Sequence, residues 1–134
     1  MPLIADNVRA FLEEVRFAVI ATTNQDGSPH QAALWYELRG DTVVMNTGIA
    51  SKKVRNLKRD PRASVVVVDS KEARHVTLEG TVTLDNSHVQ EDLTALASRY
   101  IGADAGPGIA ANIARTPHVS LILNVARVKT FGTI

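Results

Sequence analysis

The chain has 134 residues, a length that fits a single domain spanning 1–134 with a core of its own. Hydrophobic residues make up 45% and charged residues 22%, with a formal net charge of +1, which argues against a disordered chain and against a protein built for a long polyanion such as nucleic acid. Cysteine is absent, so neither a disulfide framework nor a thiolate metal site is available.

Asp6 is placed to cap a first helix with the apolar face Val8, Phe11, Leu12 and Val15. Asp6, Arg9, Glu13 and Glu14 break up any apolar leader, and no run approaches the roughly 18 apolar residues of a membrane span. A soluble, unsecreted, cytoplasmic protein with no membrane partner is expected. Residues 17–23 are rich in β-formers and read as a strand, and Asn24-Gln25-Asp26-Gly27 is hairpin-turn chemistry. The return strand is expected over 28–38, and Gly40-Asp41 turns it into a strand over 42–47. A basic helix follows, with Val54 and Leu57 facing inward, and ends before Pro61.

Farther on, Val65-Val66-Val67-Val68 reads as a strand buried on both faces or close to it. Residues 74–85 alternate, with Gly80 marking a bulge or bend. Ser87-His88-Val89-Gln90 has the form of a capping box opening a helix with the face Val89, Leu93, Leu96, Ala97 and Tyr100. Residues 102–108, with three Gly and one Pro, read as a loop, and a final strand pair is expected over 119–131. The result is an α+β chain organised around an antiparallel barrel. A barrel this small fills its own interior, so a ligand belongs outside it, in a groove or between two copies.

The segment Thr47-Gly48-Ile49-Ala50-Ser51-Lys52-Lys53 carries the clearest chemistry. A helix start has unpaired N–H groups and the positive end of the helix dipole. Ser51, Lys52 and Lys53 add a hydroxyl and two ammonium groups there, with Thr47 as a further donor and Gly48 permitting close backbone approach, which suits a phosphate. Lys52, Lys53, Arg55, Lys58, Arg59 and Arg62 are six of the 15 basic residues, so the positive charge is concentrated here.

The second candidate is the strand carrying His30, Gln31, Ala32, Ala33 and Leu34. Two alanines at mid-strand leave room for a flat ligand to meet backbone groups, although taken alone close packing against a helix is the more ordinary explanation. Trp35 and Tyr36 point to opposite faces, one toward the core and one toward a groove. His30, His75, His88 and His118 share no metal-ligand spacing, and no metal is expected. No nucleophile or acid–base motif is present, so no catalytic side chain is assigned and a cofactor is expected to carry any chemistry.

Thr23-Asn-Gln-Asp-Gly-Ser-Pro-His30, Asn46-Thr-Gly-Ile-Ala-Ser-Lys-Lys-Val-Arg-Asn-Leu-Lys-Arg-Asp-Pro-Arg-Ala-Ser64 and Val76-Thr-Leu-Glu-Gly-Thr-Val82 together resemble the pyridoxamine-phosphate-oxidase-like split β-barrel family. More narrowly they resemble its short flavin/deazaflavin-dependent oxidoreductases, many of which use coenzyme F420. The resemblance runs over 8–132 and implies a six- to seven-stranded antiparallel split β-barrel with two to four flanking helices. It also implies a homodimer with two cofactor grooves at the interface. Ser51, Lys52 and Lys53, with Thr47 nearby, would hold the cofactor phosphate. The tricyclic ring would lie along His30 to Leu34, and the region around Arg74 of a second copy would close the site. The vitamin B6 oxidases continue past the last strand with a further substrate-binding segment, so oxidation of pyridoxamine phosphate is not expected here.

The leading expectation is therefore hydride transfer between F420 and an electrophilic organic substrate. FMN in the same groove is the alternative cofactor. Arg55, Lys58 and Arg59 favour F420 because its oligoglutamate tail is anionic. A different class of function is a non-catalytic flavin or tetrapyrrole binder, for which His30 or His75 would matter as a ligand. Nucleic-acid binding ranks last, since the basic helix lacks interleaved aromatics.

Overall fold

One extended stretch of chain is interrupted at Trp35 and Tyr36, and this break shapes the whole molecule. The computed structural model, which describes residues 2–134, contains α1 (Asp6–Glu13), β1 (Ala18–Thr23), β2 (Pro29–Leu34), β3 (Glu37–Arg39), β4 (Thr42–Gly48), α2 (Lys52–Arg59), β5 (Arg62–Asp69), β6 (Arg74–Asp85), α3 (Val89–Ile101), α4 (Gly106–Ile113) and β7 (His118–Phe131). All pairings are antiparallel, in the order β2-β1-β5-β6-β7-β4-β3. β2 and β3 stand at opposite ends of that order yet are joined by only two residues, so the chain crosses directly from one sheet edge to the other and the sheet curls into a split barrel.

The single return strand expected over 28–38 is thus two strands. The break comes from Tyr36, whose ring is fully buried and whose hydroxyl donates to the Leu12 carbonyl at 2.7 Å. Its backbone N–H donates to the Tyr100 hydroxyl at 3.0 Å instead of to a neighbouring strand.

Alternating side chains from β1, β4, β5, β6 and β7 fill the interior, among them Ile20, Met45, Val65, Val67, Val76, Leu78, Leu121 and Leu123, each at most 1% exposed. Burial of each such side chain contributes about 1.5–3 kcal/mol. Leu12 and Phe11 of α1, with Val54 and Leu57 of α2, belong to the same core cluster. Gly80 sits at the register shift between β6 and β7, as its place in the strand suggests: Glu79 opposes Arg127 and Gly80 opposes Val125, leaving Ala126 as the extra residue.

Several local expectations are corrected. Asp6 lies inside α1, with Ala5 at the cap position and no side-chain capping bond, and Val15 is beyond the helix and exposed. Val65 and Val67 are fully buried but Val68 is exposed, so β5 alternates instead of being buried on both faces. The capping box at Ser87 does not form, because the Ser87 hydroxyl turns back to the Asp85 carboxylate. Residues 106–108 belong to α4, where Pro107 suits a first helical turn, so only the start of the expected loop is irregular. The final segment is one 14-residue strand that pairs with β4 through its first half and with β6 along its length.

No helix among the described residues is long and apolar enough to cross a membrane.

Candidate functional site

The cradle at the start of α2 is built by a short turn out of β4. The Ile49 N–H donates to the Pro117 carbonyl at 3.0 Å and the Ser51 N–H to Gly48 at 3.1 Å, which fixes Ser51 as the cap residue. The Ser51 hydroxyl makes no capping bond to its own helix and lies 3.4 Å from the Thr47 hydroxyl. Lys52 is exposed and Lys53 half-buried. Neither has a carboxylate partner among the described residues, and burial holds the Lys53 ammonium pKa below the ordinary lysine value. Two hydroxyls thus meet at a helix N-terminus whose first turn also carries a partly desolvated ammonium without a carboxylate partner, a set of donor types that suits a phosphate.

The rest of α2 is tied to the β1–β2 hairpin. Asn56, only 2% exposed, donates to the Thr22 hydroxyl at 3.1 Å and to Asn24 Oδ1 at 3.0 Å. Arg59 donates to the Thr23 carbonyl, and Arg55 to the Ala50 carbonyl at 2.7 Å. Arg55 and Arg59 are therefore engaged with backbone oxygens, while Lys58 is exposed and outside every ion pair of the described residues. Arg74 stands apart from the cradle. It pairs with Asp69 at 2.9 Å and Glu72 at 3.3 Å, and its guanidinium lies 5.2 Å from the centre of the Phe11 ring.

β2 is an edge strand: its register partners lie in β1, and the backbone groups on its other side meet no strand. Gln31 and Ala33 are exposed, while His30, Ala32 and Leu34 are half-buried, Ala32 and Leu34 against the main core. The strand ends at a hollow of about 300 Å³ lined by Phe17, Ala33, Leu34, Trp35, Asn46, Leu93, Leu96, Ile113 and His118. Of the two aromatic neighbours, Tyr36 is the core residue and Trp35 the groove residue. Trp35 stacks on Tyr100 with centroids 5.1 Å apart, and Tyr100 stacks in turn on Phe17 at 5.9 Å.

The hollow and the cradle are neighbours along β4. Asn46 lines the hollow, the next residue Thr47 faces Ser51, and Gly48 pairs with His118. Ser51 and Lys53 line neither this hollow nor a second, more polar one of about 600 Å³ over β1, β5, β6 and β7. Asn46 and Thr47 face opposite sides of β4, so the cradle and the hollow are separate features.

Sequence reasoning did not assign Asn46, His118, Phe17 or the α3 and α4 residues to the site. Asn46 was legible as the strand neighbour facing opposite to Thr47, but His118 is brought in only by the β4–β7 register. Among the described residues no group of three or more His, Cys, Asp or Glu side chains is placed to hold a metal ion.

Residues 4–131 match the family described as pyridoxamine 5'-phosphate oxidase. Among solved structures, the conserved hypothetical protein Rv2991 from Mycobacterium tuberculosis aligns with a TM-score of 0.80 at 24% identity, over 98% of this chain and 86% of that one. An F420 reductase aligns with a TM-score of 0.76 at 22% identity, over 90% and 94%. HutZ, the heme storage protein from Vibrio cholerae, aligns with a TM-score of 0.72 at 16% identity, over 98% and 95%. At these identities the likeness is one of fold.

Proposed function

The chain belongs to the pyridoxamine 5'-phosphate oxidase family, and from that premise we propose that it is an oxidoreductase binding deazaflavin F420, with FMN as the alternative cofactor. The observation that carries this reading is the start of α2, where the Ser51 hydroxyl faces that of Thr47 and the first turn holds Lys53, half-buried and without a carboxylate partner among the described residues. The F420 reductase of the same fold lends it support.

In this reading Ser51, Lys52, Lys53 and Thr47 hold the cofactor phosphate. The free edge of β2 offers backbone N–H and C=O groups to the polar rim of the ring over Ala32 and Ala33. Trp35 and Phe17 keep water from the reacting side. The bound ring supplies hydride chemistry, and the chain's part is to bind, orient and desolvate it. Lys58 is the cation of α2 left to meet an anionic tail, since Arg55 and Arg59 bond backbone carbonyls.

A second reading, storage of a tetrapyrrole without catalysis, draws on His75. Its Nδ1 is buried without a partner and its ring stacks at 5.0 Å on the exposed Phe131. Titration of the purified protein with F420, FMN and haem separates the readings. F420 is expected to bind most tightly and to show substrate-dependent oxidation of its reduced form. Haem binding alone would support storage, and tighter FMN binding would move the cofactor to FMN.

The homodimer is part of the same proposal. The cradle is open to solvent in one copy, and the exposed apolar side chains Phe17, Val68 and Phe131 suit an interface. Sedimentation at micromolar concentration is expected to give a dimer burying above about 2,000 Å². A monomer that binds cofactor fully would contradict it.

A further inference from the structure

Of the three buried residues of α2, Val54 and Leu57 are apolar and Asn56 is not. Val54 and Leu57 hold the helix on the core by contact that has no preferred direction. Asn56 supplies the direction. Arg59 has only donors to offer and lies 3.2 Å from Asn56 Oδ1, so the amide oxygen faces Arg59 and the NH₂ group faces the β1–β2 hairpin. That NH₂ donates to the Thr22 hydroxyl at 3.1 Å, on β1, and to Asn24 Oδ1 at 3.0 Å, where the turn begins.

These two partners fix the place where β2 starts. Thr22, itself buried, stands opposite His30 in the register. Asn24 spans the turn: its backbone N–H donates to the Ser28 carbonyl at 2.8 Å and its side-chain NH₂ to the Ser28 hydroxyl at 3.1 Å. Ser51 and Lys53 precede Asn56 by no more than about a turn and a half of the same helix. A shift of the Asn56 amide against the hairpin therefore displaces the cradle against the β2 edge.

We propose that Asn56 is a positioning residue: its amide sets the separation and angle between the cradle at the start of α2 and the free edge of β2, so that one ligand engages both at once. This rests on the reading that puts a cofactor's phosphate at the first and its ring at the second, and it gives Asn56 no contact with the ligand. Joining two fragments in one molecule tightens binding only where both sites stand at the spacing that the linker dictates. Loss of the Asn56 register thus costs the joined ligand and spares its parts.

The test titrates F420 and FMN, the same rings without phosphate (the deazariboflavin of F420, and riboflavin), and inorganic phosphate into the wild type and two variants. Asn56→Asp keeps an acceptor for Arg59 but sets an oxygen against Asn24 Oδ1. The double variant Thr22→Val with Asn24→Ala leaves Asn56 in place and removes both of its acceptors, so it decides alone should Asn56→Asp not fold. In each folded variant the Kd of the cofactor that the wild type binds is expected to rise about tenfold or more, while its phosphate-free ring and phosphate stay within about twofold. Unchanged cofactor affinity, or a loss shared equally by the ring and by phosphate, would overturn the proposal and leave the cofactor reading in place. If neither F420 nor FMN binds the wild type, the cofactor reading falls and the proposal falls with it.

Discussion

Lys53→Ala is expected to weaken F420 or FMN binding by about 1.5–3 kcal/mol, the range for a hydrogen bond to a charged group. That is roughly a ten- to 150-fold rise in Kd. Lys53 is half-buried with no competing carboxylate among the described residues, so its charge is less screened than that of an exposed lysine. Lys58→Ala, on the exposed side of the same helix, is expected to cost under about 1 kcal/mol. The pH dependence carries the same signature. Only protonated Lys53 attracts the phosphate, and burial has lowered its pKa, so affinity falls as pH rises through a value below the ordinary lysine range. The Lys53→Ala protein lacks that limb. Isothermal titration across pH measures both effects, and equal affinities in the two proteins would remove the phosphate assignment.

Gly80→Ala is expected to destabilise the barrel by about 3 kcal/mol, the upper part of the range for overpacking. A Cβ at Gly80 would lie 1.9 Å from the Asn124 carbonyl oxygen and 2.9 Å from its carbon, both backbone atoms of the facing strand. Relief requires β6 and β7 to part at the bulge, where the longest strand pairing in the sheet changes register. Gly108→Ala in α4 is the matched control. Nothing lies within 4 Å of its added Cβ, and alanine favours a helix by up to about 1 kcal/mol. Thermal unfolding should separate the two variants widely, and similar melting temperatures would contradict the close approach at Gly80.

What the sequence made legible was whatever depends on local pattern. The Asn24–Gly27 turn, the inward Val54 and Leu57, the helical face at Leu93, Leu96 and Ala97, and the bulge at Gly80 follow from periodicity and turn chemistry. The misread features were decided by partners that pattern alone does not rank. The strand break at Trp35–Tyr36 needs Leu12 and Tyr100, which no local window contains. Ser87 looked like a cap but had a closer acceptor in Asp85. At the site, the Thr47 and Ser51 hydroxyls face each other across the turn that leads into α2. The hollow was out of reach, since Phe17, Asn46, Leu93 and His118 come from four separate elements or junctions. Arg55 and Arg59 show the converse: their charge was visible, but the carbonyls that engage them were not.

If the proposed function is right, one ligand places its phosphate at Ser51–Lys53 and its ring beside Ala33 and Trp35. Trp35 is the chain's sole tryptophan and lines the hollow at the end of β2, so its fluorescence reports on that point alone. Titration with F420, corrected for absorption by the ligand, is expected to quench this emission saturably. Lys53→Ala should shift the curve to higher concentration and leave its end point unchanged. Tight F420 binding with unquenched Trp35 emission, or a quenching curve indifferent to Lys53, would contradict the claim.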